Sequence, residues 1–372
     1  MKNDIEITFD NDASASSFGW NFQVNAGIFL LLYYIQDAKQ IKIESKYEDI
    51  EIQLSDNRKI YAQAKSAQNE CTSSNAKEKI KDAFMSLVKV SVTEKDKLIY
   101  ISNLREPIKN GERFFENSVI SYSECLESMK KTINDILAEI VQKLDEKKKK
   151  ETNSEKFNKY EHLKQKVISI NLEQIEICTI YPYYGEERNR YRQIKDKIID
   201  TLSSYFQLNH DDVICISQKL MEHWQLTFEH NSTIKDGSLK KIISKEEFLW
   251  PIVAFLSDND GFRIDDCMSF IVDSSLKQEA IEYMNSTIYV YHERFQFVNA
   301  VLRDYAKFKN AFIRQNDESV ERSYIKKEYE KFVDEFAEID DLELREYVLK
   351  NSMYKIIMNN RKIQKISKEA NV

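Results

Sequence analysis

Residues 48–66, EDIEIQLSDNRKIYAQAKS, contain two stretches in which apolar and polar side chains alternate, separated by a polar turn. Alternation with a period of two is the pattern of a β-strand, so the segment predicts a hairpin with two distinct faces. The face that we expect to be buried carries Ile50, Ile52, Leu54, Ile60, Ala62 and Ala64. The opposite, polar face carries Asp49, Glu51, Gln53, Tyr61, Gln63 and Lys65.

The two faces stay separate only in registers that leave an odd number of residues in the turn. A two-residue turn would place Asp49 opposite Ala64 and bury charged side chains, which is energetically costly. We therefore expect Asp49 to lie opposite Gln63 or Lys65, close enough for cross-strand contact.

This trio suits metal-dependent hydrolysis of a phosphodiester. Asp49 offers a hard carboxylate oxygen to Mg²⁺ or Mn²⁺, and the Gln63 side-chain carbonyl offers a neutral second ligand. Such an ion lowers the pKa of a bound water and neutralises charge on the phosphate. Lys65 would orient that water or stabilise the negative charge that develops on the phosphate. Because one carboxylate is few for a divalent ion, we expect Glu44 on the preceding strand to be a further ligand. Glu48 and Glu51 are weaker candidates for an acidic ligand. The alternative to a metal site is an ordinary solvent-exposed polar face of the hairpin.

The surrounding pattern predicts a mixed sheet with helices packed against it. A serine-rich helix start at 14–17 precedes FGWNFQVNAGIFLLLYYIQ, whose apolar run Ala26–Ile35 has about half the length of a membrane-spanning helix. We read that run as a buried helix. Predicted strands lie at 41–45, 48–54, 60–66 and 97–103, with a helix at 76–90 before the last of them.

Asp49 followed by Gln63-x-Lys65, on consecutive strands after a helix, resembles the PD-(D/E)XK nuclease core in its Gln-x-Lys form. FGWNFQ at 18–23 resembles the helix start of one branch, the double-stranded DNA endonuclease domain of prokaryotic anti-phage systems. That domain occurs at the front of CBASS effector nucleases and in the Lamassu nuclease subunit. The resemblance implies Gln23 as a helix-borne neighbour of the active site, Glu44 and Asp49 as acidic ligands, and Gln63 with Lys65 as the Gln-x-Lys pair.

The fold class implied is α/β, with a restriction-endonuclease-like core followed by an α-helical C-terminal domain. We expect a nuclease domain over 1–255, with its core at about 10–105, a helical insertion at 114–167 and a return strand near 173–181. Residues 256–372 would form a helical region for oligomerisation or partner docking. Two stripes in it predict an antiparallel helix pair. They are Val301, Tyr305, Phe308 and Phe312, and Ile325, Tyr329, Phe332 and Phe336.

The expected activity is Mg²⁺-dependent cleavage of double-stranded DNA with low sequence specificity, inside an anti-phage complex and restrained until the chain oligomerises. By resemblance to Lamassu, an SMC-type ATPase and a small accessory subunit would be partners. Two alternatives stay open. One is a non-catalytic scaffold or DNA-docking subunit with a degenerate nuclease fold, and the other is a stand-alone restriction-type nuclease.

Composition sets further bounds. With 42% apolar and 31% charged residues the chain is of the soluble globular class. Its start, MKNDIEITFD, lacks the apolar core of a signal peptide. Five scattered cysteines without Cys-x-x-Cys predict a cytoplasmic protein without disulfides or structural zinc. We expect no association with a membrane.

A net charge of −7 does not favour nucleic-acid binding, which nevertheless depends on local patches. The candidates for DNA backbone contact are Lys77 and Lys81 after the Gln-x-Lys strand, and Arg188, Arg192 and Lys195 on one helix face. Solvated helix faces are the alternative for both sets.

Overall fold

A computed structural model describes residues 14–46, 48–69, 73–90, 92–104, 117–185, 190–235, 241–259, 295–312 and 319–370. The chain divides into two compact units. The first comprises residues up to Lys197 together with Gln225–Ile243, and the second comprises Ile198–Trp224 and the chain from Ser244 onward. The domain boundary expected at residue 256 stays a prediction.

The first unit has mixed α/β structure. Its strands are β1 (Ala38–Ile43), β2 (Ile50–Leu54), β3 (Lys59–Lys65), β4 (Lys97–Ser102), β5 (Val119–Ser121), β6 (Ile175–Thr179) and β7 (Ile243–Ser244). Its helices are α1 (Ser14–Tyr33), α2 (Ser73–Leu87), α3 (Glu127–Lys150) and α4 (Ser154–Ile168). The division between the units falls within α5 (Arg192–Asp200) and α6 (His210–Thr233) and at the end of β7.

In the part of the chain that the structure describes, seven strands form one mixed sheet in the order β5-β6-β4-β3-β2-β1-β7. Strands β1, β2 and β3 are antiparallel neighbours, whereas β3, β4 and β6 run parallel to one another. The predicted order of helix, three strands, helix and strand is confirmed. The first predicted strand differs in its bounds, since β1 begins at Ala38 rather than at 41.

The hairpin has the predicted register. Ile50 pairs with Ala62 and Glu51 with Tyr61, and Leu54 N donates to Arg58 O at 2.9 Å. Three residues, 55–57, therefore form the turn, an odd number as expected. This register places the residue before Ile50 opposite the residue after Ala62.

The polar face of the hairpin is covered by protein, which corrects the simple division into a buried and a polar side. Helices α2 and α3 pack on the face that carries Tyr61, which joins Phe84 and Ile133 in one hydrophobic cluster. Glu51 and Gln63, on the same face, are 5% and 6% exposed. Both faces are buried because helices cover the sheet on each side, α1 packing against β1, β2 and β3.

Helix α1 is the buried helix that its apolar run predicts, with Ile28, Phe29 and Leu30 fully inaccessible. Gly27 allows its close approach to the sheet. A Cβ atom placed on Gly27 would lie 2.6 Å from Ile43 Cδ1 and 3.2 Å from the Phe228 ring. In the ranges described, no helix combines the length and hydropathy needed to cross a membrane.

The second unit is helical from Lys245 onward in the ranges described. Its elements are α7 (Lys245–Asn259), α8 (Phe295–Ala311), α9 (Val320–Glu328), a 3₁₀ segment (Tyr329–Phe336), α10 (Leu342–Met358) and α11 (Asn360–Ala370). Ring contacts confirm the antiparallel pairing of the two stripes. Phe297 meets Phe336 at 5.7 Å, whereas Phe308 meets Tyr324 at 5.4 Å. The prediction of a single helix for the second stripe is wrong, because the α-helix ends at Glu328 and the backbone continues as a 3₁₀ segment from Tyr329.

Candidate active site

The candidate residues converge at one edge of the sheet. Strand β2 begins where its antiparallel neighbours β1 and β3 end, so three chain segments bring side chains to the same place. Asp49 immediately precedes β2, Lys65 is the last residue of β3, and Glu44 directly follows β1. The predicted convergence of Asp49 with Gln63 follows from the hairpin register.

The Asp49 carboxylate is fixed by two donors from β3. Its Oδ2 accepts a hydrogen bond from Gln63 Nε2 and a second from the backbone N–H of Ala64 at 2.9 Å. Asp49 is half-buried and Gln63 is buried. The Gln63 amide donates through its nitrogen, so its carbonyl oxygen is the atom of that side chain suited to a cation.

Helix α1 reaches the same edge through Gln23. Gln23 Nε2 donates to Glu44 Oε1 at 2.7 Å and to the backbone oxygen of Asp49 at 3.2 Å. Gln23 is itself buried, whereas the Glu44 residue is exposed. One amide therefore ties the second acidic residue to the chain segment that carries the first.

Glu44 has a backbone φ of +52°, in the left-handed region that side chains other than glycine seldom adopt. Its backbone N–H donates to Asp49 O at 2.8 Å, which closes the β1–β2 connection. A left-handed residue costs roughly 1–2 kcal/mol, and such residues cluster at functional sites. The turn thus holds Glu44 at the sheet edge in a conformation that its side chain does not favour.

Burial raises the pKa of Asp49 to about 6, and the nearby Glu44 carboxylate adds to the increase. The Ala64 N–H and the Lys65 ammonium oppose it. For Glu48, burial raises the pKa to about 8 with a further contribution from Asp49, and Lys89 and Lys65 act in the opposite direction. Negative charge is therefore crowded at this edge, with Lys65 as a counter-charge.

The two weaker acidic candidates have different environments. Glu48 is buried beside Asp49, and its backbone N–H and C=O both bond to Ser45. Glu51 lies farther along β2, where its Oε1 pairs with Lys59 Nζ at 2.9 Å. The residues that share the Asp49 environment are thus Glu44 and Glu48 rather than Glu51.

Oxygen donors at this edge suit a magnesium ion. Asp49, Glu44 and the Gln63 carbonyl are hard ligands, and Mg²⁺ is commonly bound through one or two carboxylates plus waters and substrate phosphate. Over the described ranges no group of three His, Cys, Asp or Glu side chains is placed to hold a metal ion. An ion held by two carboxylates and one amide carbonyl would take its remaining ligands from water and substrate.

No protein-family model matches this chain, and no curated protein does either. Among solved structures, the Acinetobacter baumannii Cap4 SAVED/CARF-domain containing receptor with the cyclic trinucleotide 2'3'3'-cAAA is 13% identical, with a TM-score of 0.34 over 66% of this chain. The Moraxella osloensis Cap4 receptor is 12% identical, with a TM-score of 0.34 over 68% of this chain.

This chain spans about half the length of those receptors, 47% and 50% respectively. Because the TM-scores are this low, we transfer neither fold nor function from the receptors. The resemblance to PD-(D/E)XK nucleases remains a prediction.

Three of the five basic residues expected to contact DNA have carboxylate partners within the protein. Lys77 and Lys81 of α2 both pair with Glu139 on α3, the second at 2.6 Å. Arg192 Nε lies 3.6 Å from Asp196 Oδ2, one turn along α5. Lys195 lies on α5 as well, and Arg188 is outside the described residues. Their role in binding DNA stays a prediction.

Two features near the site were not found from the sequence. Asn103, just after β4, is buried and its side chain both donates to Ala67 O at 2.7 Å and accepts from Ala67 N at 3.0 Å. A polar residue directly after the apolar strand KLIYIS was the available signal. The second feature is Arg190, which lies near Phe18 of α1 although 172 positions separate them in sequence.

Proposed function

We propose that this chain is a metal-dependent endonuclease that cleaves double-stranded DNA with low sequence specificity. The observation that carries the proposal is the convergence of Asp49, Gln63 and Lys65 with Glu44 at one sheet edge. Asp49 and Glu44 are brought together by hydrogen bonds from β3 and α1, and not by chain proximity alone.

Asp49, Glu44 and the carbonyl of Gln63 would hold Mg²⁺ or Mn²⁺. When bound, the ion supplies a more acidic water and positive charge beside the scissile phosphate. Gln23 holds the Glu44 carboxylate in place through its 2.7 Å hydrogen bond. Because Gln23 is buried in α1, it is a positioning residue and does not contact the substrate.

Lys65 is the residue assigned to the reacting phosphate. It is half-buried at the end of β3, and its charge opposes the rise in the pKa of Asp49 and of Glu48 that burial causes. An ammonium group in this position would orient the attacking water and stabilise the negative charge that develops on the phosphate.

The biological setting belongs to the same proposal. By its resemblance to the Lamassu nuclease subunit, the chain would act in an anti-phage complex with an SMC-type ATPase and a small accessory subunit. Restraint would protect host DNA from an unregulated nuclease. Oligomerisation would bring together the two active sites that cutting both strands needs. A non-catalytic DNA-docking subunit is the rival, favoured by the lack of a three-residue metal cluster among the described residues.

Cleavage of supercoiled plasmid by the full chain tests the proposal. We expect nicked and linear products with Mg²⁺ or Mn²⁺, none with EDTA, and a rate lowered on the order of 10²-fold or more in Lys65→Ala. Lys59→Ala is the matched control, because Lys59 lies at the other end of the same strand and pairs with Glu51. DNA binding without cutting under any metal condition would favour the docking subunit, and equal cutting by wild type and Lys65→Ala would refute the assigned site.

A further inference from the structure

Arg190 is held against aromatic rings beside helix α1. Its guanidinium carbon lies 5.0 Å from the centroid of the Phe18 ring and 6.0 Å from that of Tyr191. One edge nitrogen, Nη2, donates to Gly185 O at 3.2 Å. Arg190 is half-buried and Phe18 is buried. Cation–π contacts and a backbone hydrogen bond therefore fix the guanidinium in one place.

The position of Phe18 links Arg190 to the candidate active site. The next residue in α1, Gly19, approaches the chain just after β3, where a Cβ atom placed on it would lie 3.9 Å from Ser66 Oγ. Ser66 immediately follows Lys65. Arg190 thus contacts the N-terminal part of α1, which approaches the chain just after β3.

The lack of a carboxylate partner in the described ranges distinguishes Arg190 from three of the other basic candidates. Lys77, Lys81 and Arg192 each have a carboxylate within ion-pair distance. In the described part of the chain no carboxylate pairs with Arg190, and its Nε–H has no protein acceptor. A half-buried cation with no carboxylate partner among the described residues favours an anionic ligand.

We propose that Arg190 binds a backbone phosphate of duplex DNA next to the phosphate that is cleaved, an inference that rests on the proposed function. Contact with the rings occupies the face of the guanidinium, Nε is buried, and one N–H of Nη2 is donated to Gly185 O, which leaves the N–H groups of Nη1 and the second N–H of Nη2 for a phosphate. Arginine is suited to this task because its planar fork forms paired hydrogen bonds with phosphate oxygens. Such a contact fixes the DNA without reading its sequence.

Binding of a short fluorescent duplex to the full chain tests this, measured by anisotropy in EDTA over a series of salt concentrations. We expect Arg190→Ala to weaken binding about tenfold, as loss of a charge-assisted hydrogen bond would. We also expect it to lower the slope of log affinity against log salt by about 0.9, the value for one phosphate contact. Arg58→Ala is the matched control, since that arginine pairs with Asp56 at 2.6 Å beside the hairpin turn, at the other end of β2 and β3 from the candidate active site.

The result separates this inference from the proposed function. If Arg190→Ala cuts DNA and binds the duplex as the wild type does, with an unchanged salt slope, the Arg190 contact alone is overturned. If the wild type does not bind the duplex, both the contact and the proposed function are overturned. If Arg190→Ala melts early, Arg190→Lys replaces it: it keeps the charge, so we expect the wild-type slope with weaker binding. Wild-type affinity in Arg190→Lys would show that the guanidinium fork makes no contact.

Discussion

Glu48 and Asp49 are consecutive carboxylic acids just before β2, the first buried and the second half-buried. Glu48 is 6% exposed, and Asp49 is fixed by hydrogen bonds from Gln63 and Ala64. Burial favours the protonated form of each acid, and each negative charge disfavours the other. The counter-charges that act on Glu48 are Lys89 and Lys65. A bound cation would stabilise the ionised form of both acids, because it offsets the cost of burying their charges and the repulsion between them.

This arrangement makes the stability of the chain depend on pH. The pKa of Glu48 rises from 4.5 to about 8 on folding, so the folded state holds a proton that the unfolded state has lost between those pH values. The contribution of protonated Glu48 to the free energy of unfolding is fully present below pH 4.5 and decreases as the pH rises toward 8. The free energy of unfolding should decrease by about 1.4 kcal/mol per pH unit in that window. Because the pKa of Asp49 is raised from 3.8 to about 6, its deprotonation also lowers the free energy of unfolding as the pH rises through that range.

Thermal melting in EDTA between pH 5 and about 8 measures the effect, and Glu48→Gln should flatten the curve. Glu78→Gln is the control, since Glu78 is exposed and its pKa is lowered by Lys81. A melting temperature that rises with pH in the wild type but not in Glu48→Gln would contradict the prediction.

At the scale of elements, the hairpin shows what the sequence could predict and what it could not. Alternation over 48–66 was enough for the register, because a slip of one residue would exchange the two faces. It could not show that the polar face is covered, since that depends on α2 and α3 packing on it from later in the chain. Gln23, Glu44, Asp49, Gln63 and Lys65 were found because a motif marks them. Arg190 was not, because only tertiary structure brings it to Phe18.

Helix α1 carries two glycines whose surroundings differ. Replacing a helical glycine with alanine gains about 1 kcal/mol from helix propensity. At Gly27 the added methyl group would meet Ile43 Cδ1 at 2.6 Å and the Phe228 ring at 3.2 Å, and both neighbours are fully buried. Overpacking of this kind costs about 1–3 kcal/mol, so we expect Gly27→Ala to lower the melting temperature.

Gly19→Ala is the matched control for that prediction. Its new methyl group would have Ser66 Oγ at 3.9 Å as its nearest neighbour, an ordinary van der Waals distance. We expect an unchanged or higher melting temperature. Equal stabilisation by the two substitutions would show that α1 does not need its close approach to β1.

In the second unit, the helices from α8 onward pack against one another. Helix α8 pairs with α9 and the 3₁₀ segment through aromatic rings, and α10 packs against all three. Helix α11 packs against α7, so a truncation at residue 256 would cut α7 and remove its partner. Oligomerisation is therefore better tested with the full chain.

Mixing experiments provide that test. If two chains cut the two strands together, the rate of plasmid linearisation per molecule should rise with protein concentration. An excess of Lys65→Ala chains should form mixed assemblies in which one site is inactive, so that nicked circles accumulate at the expense of linear product. An equal excess of Lys59→Ala chains is the control, because this lysine pairs with Glu51 away from the site. A product ratio that Lys65→Ala leaves unchanged would indicate that each chain cuts independently, as a stand-alone nuclease does.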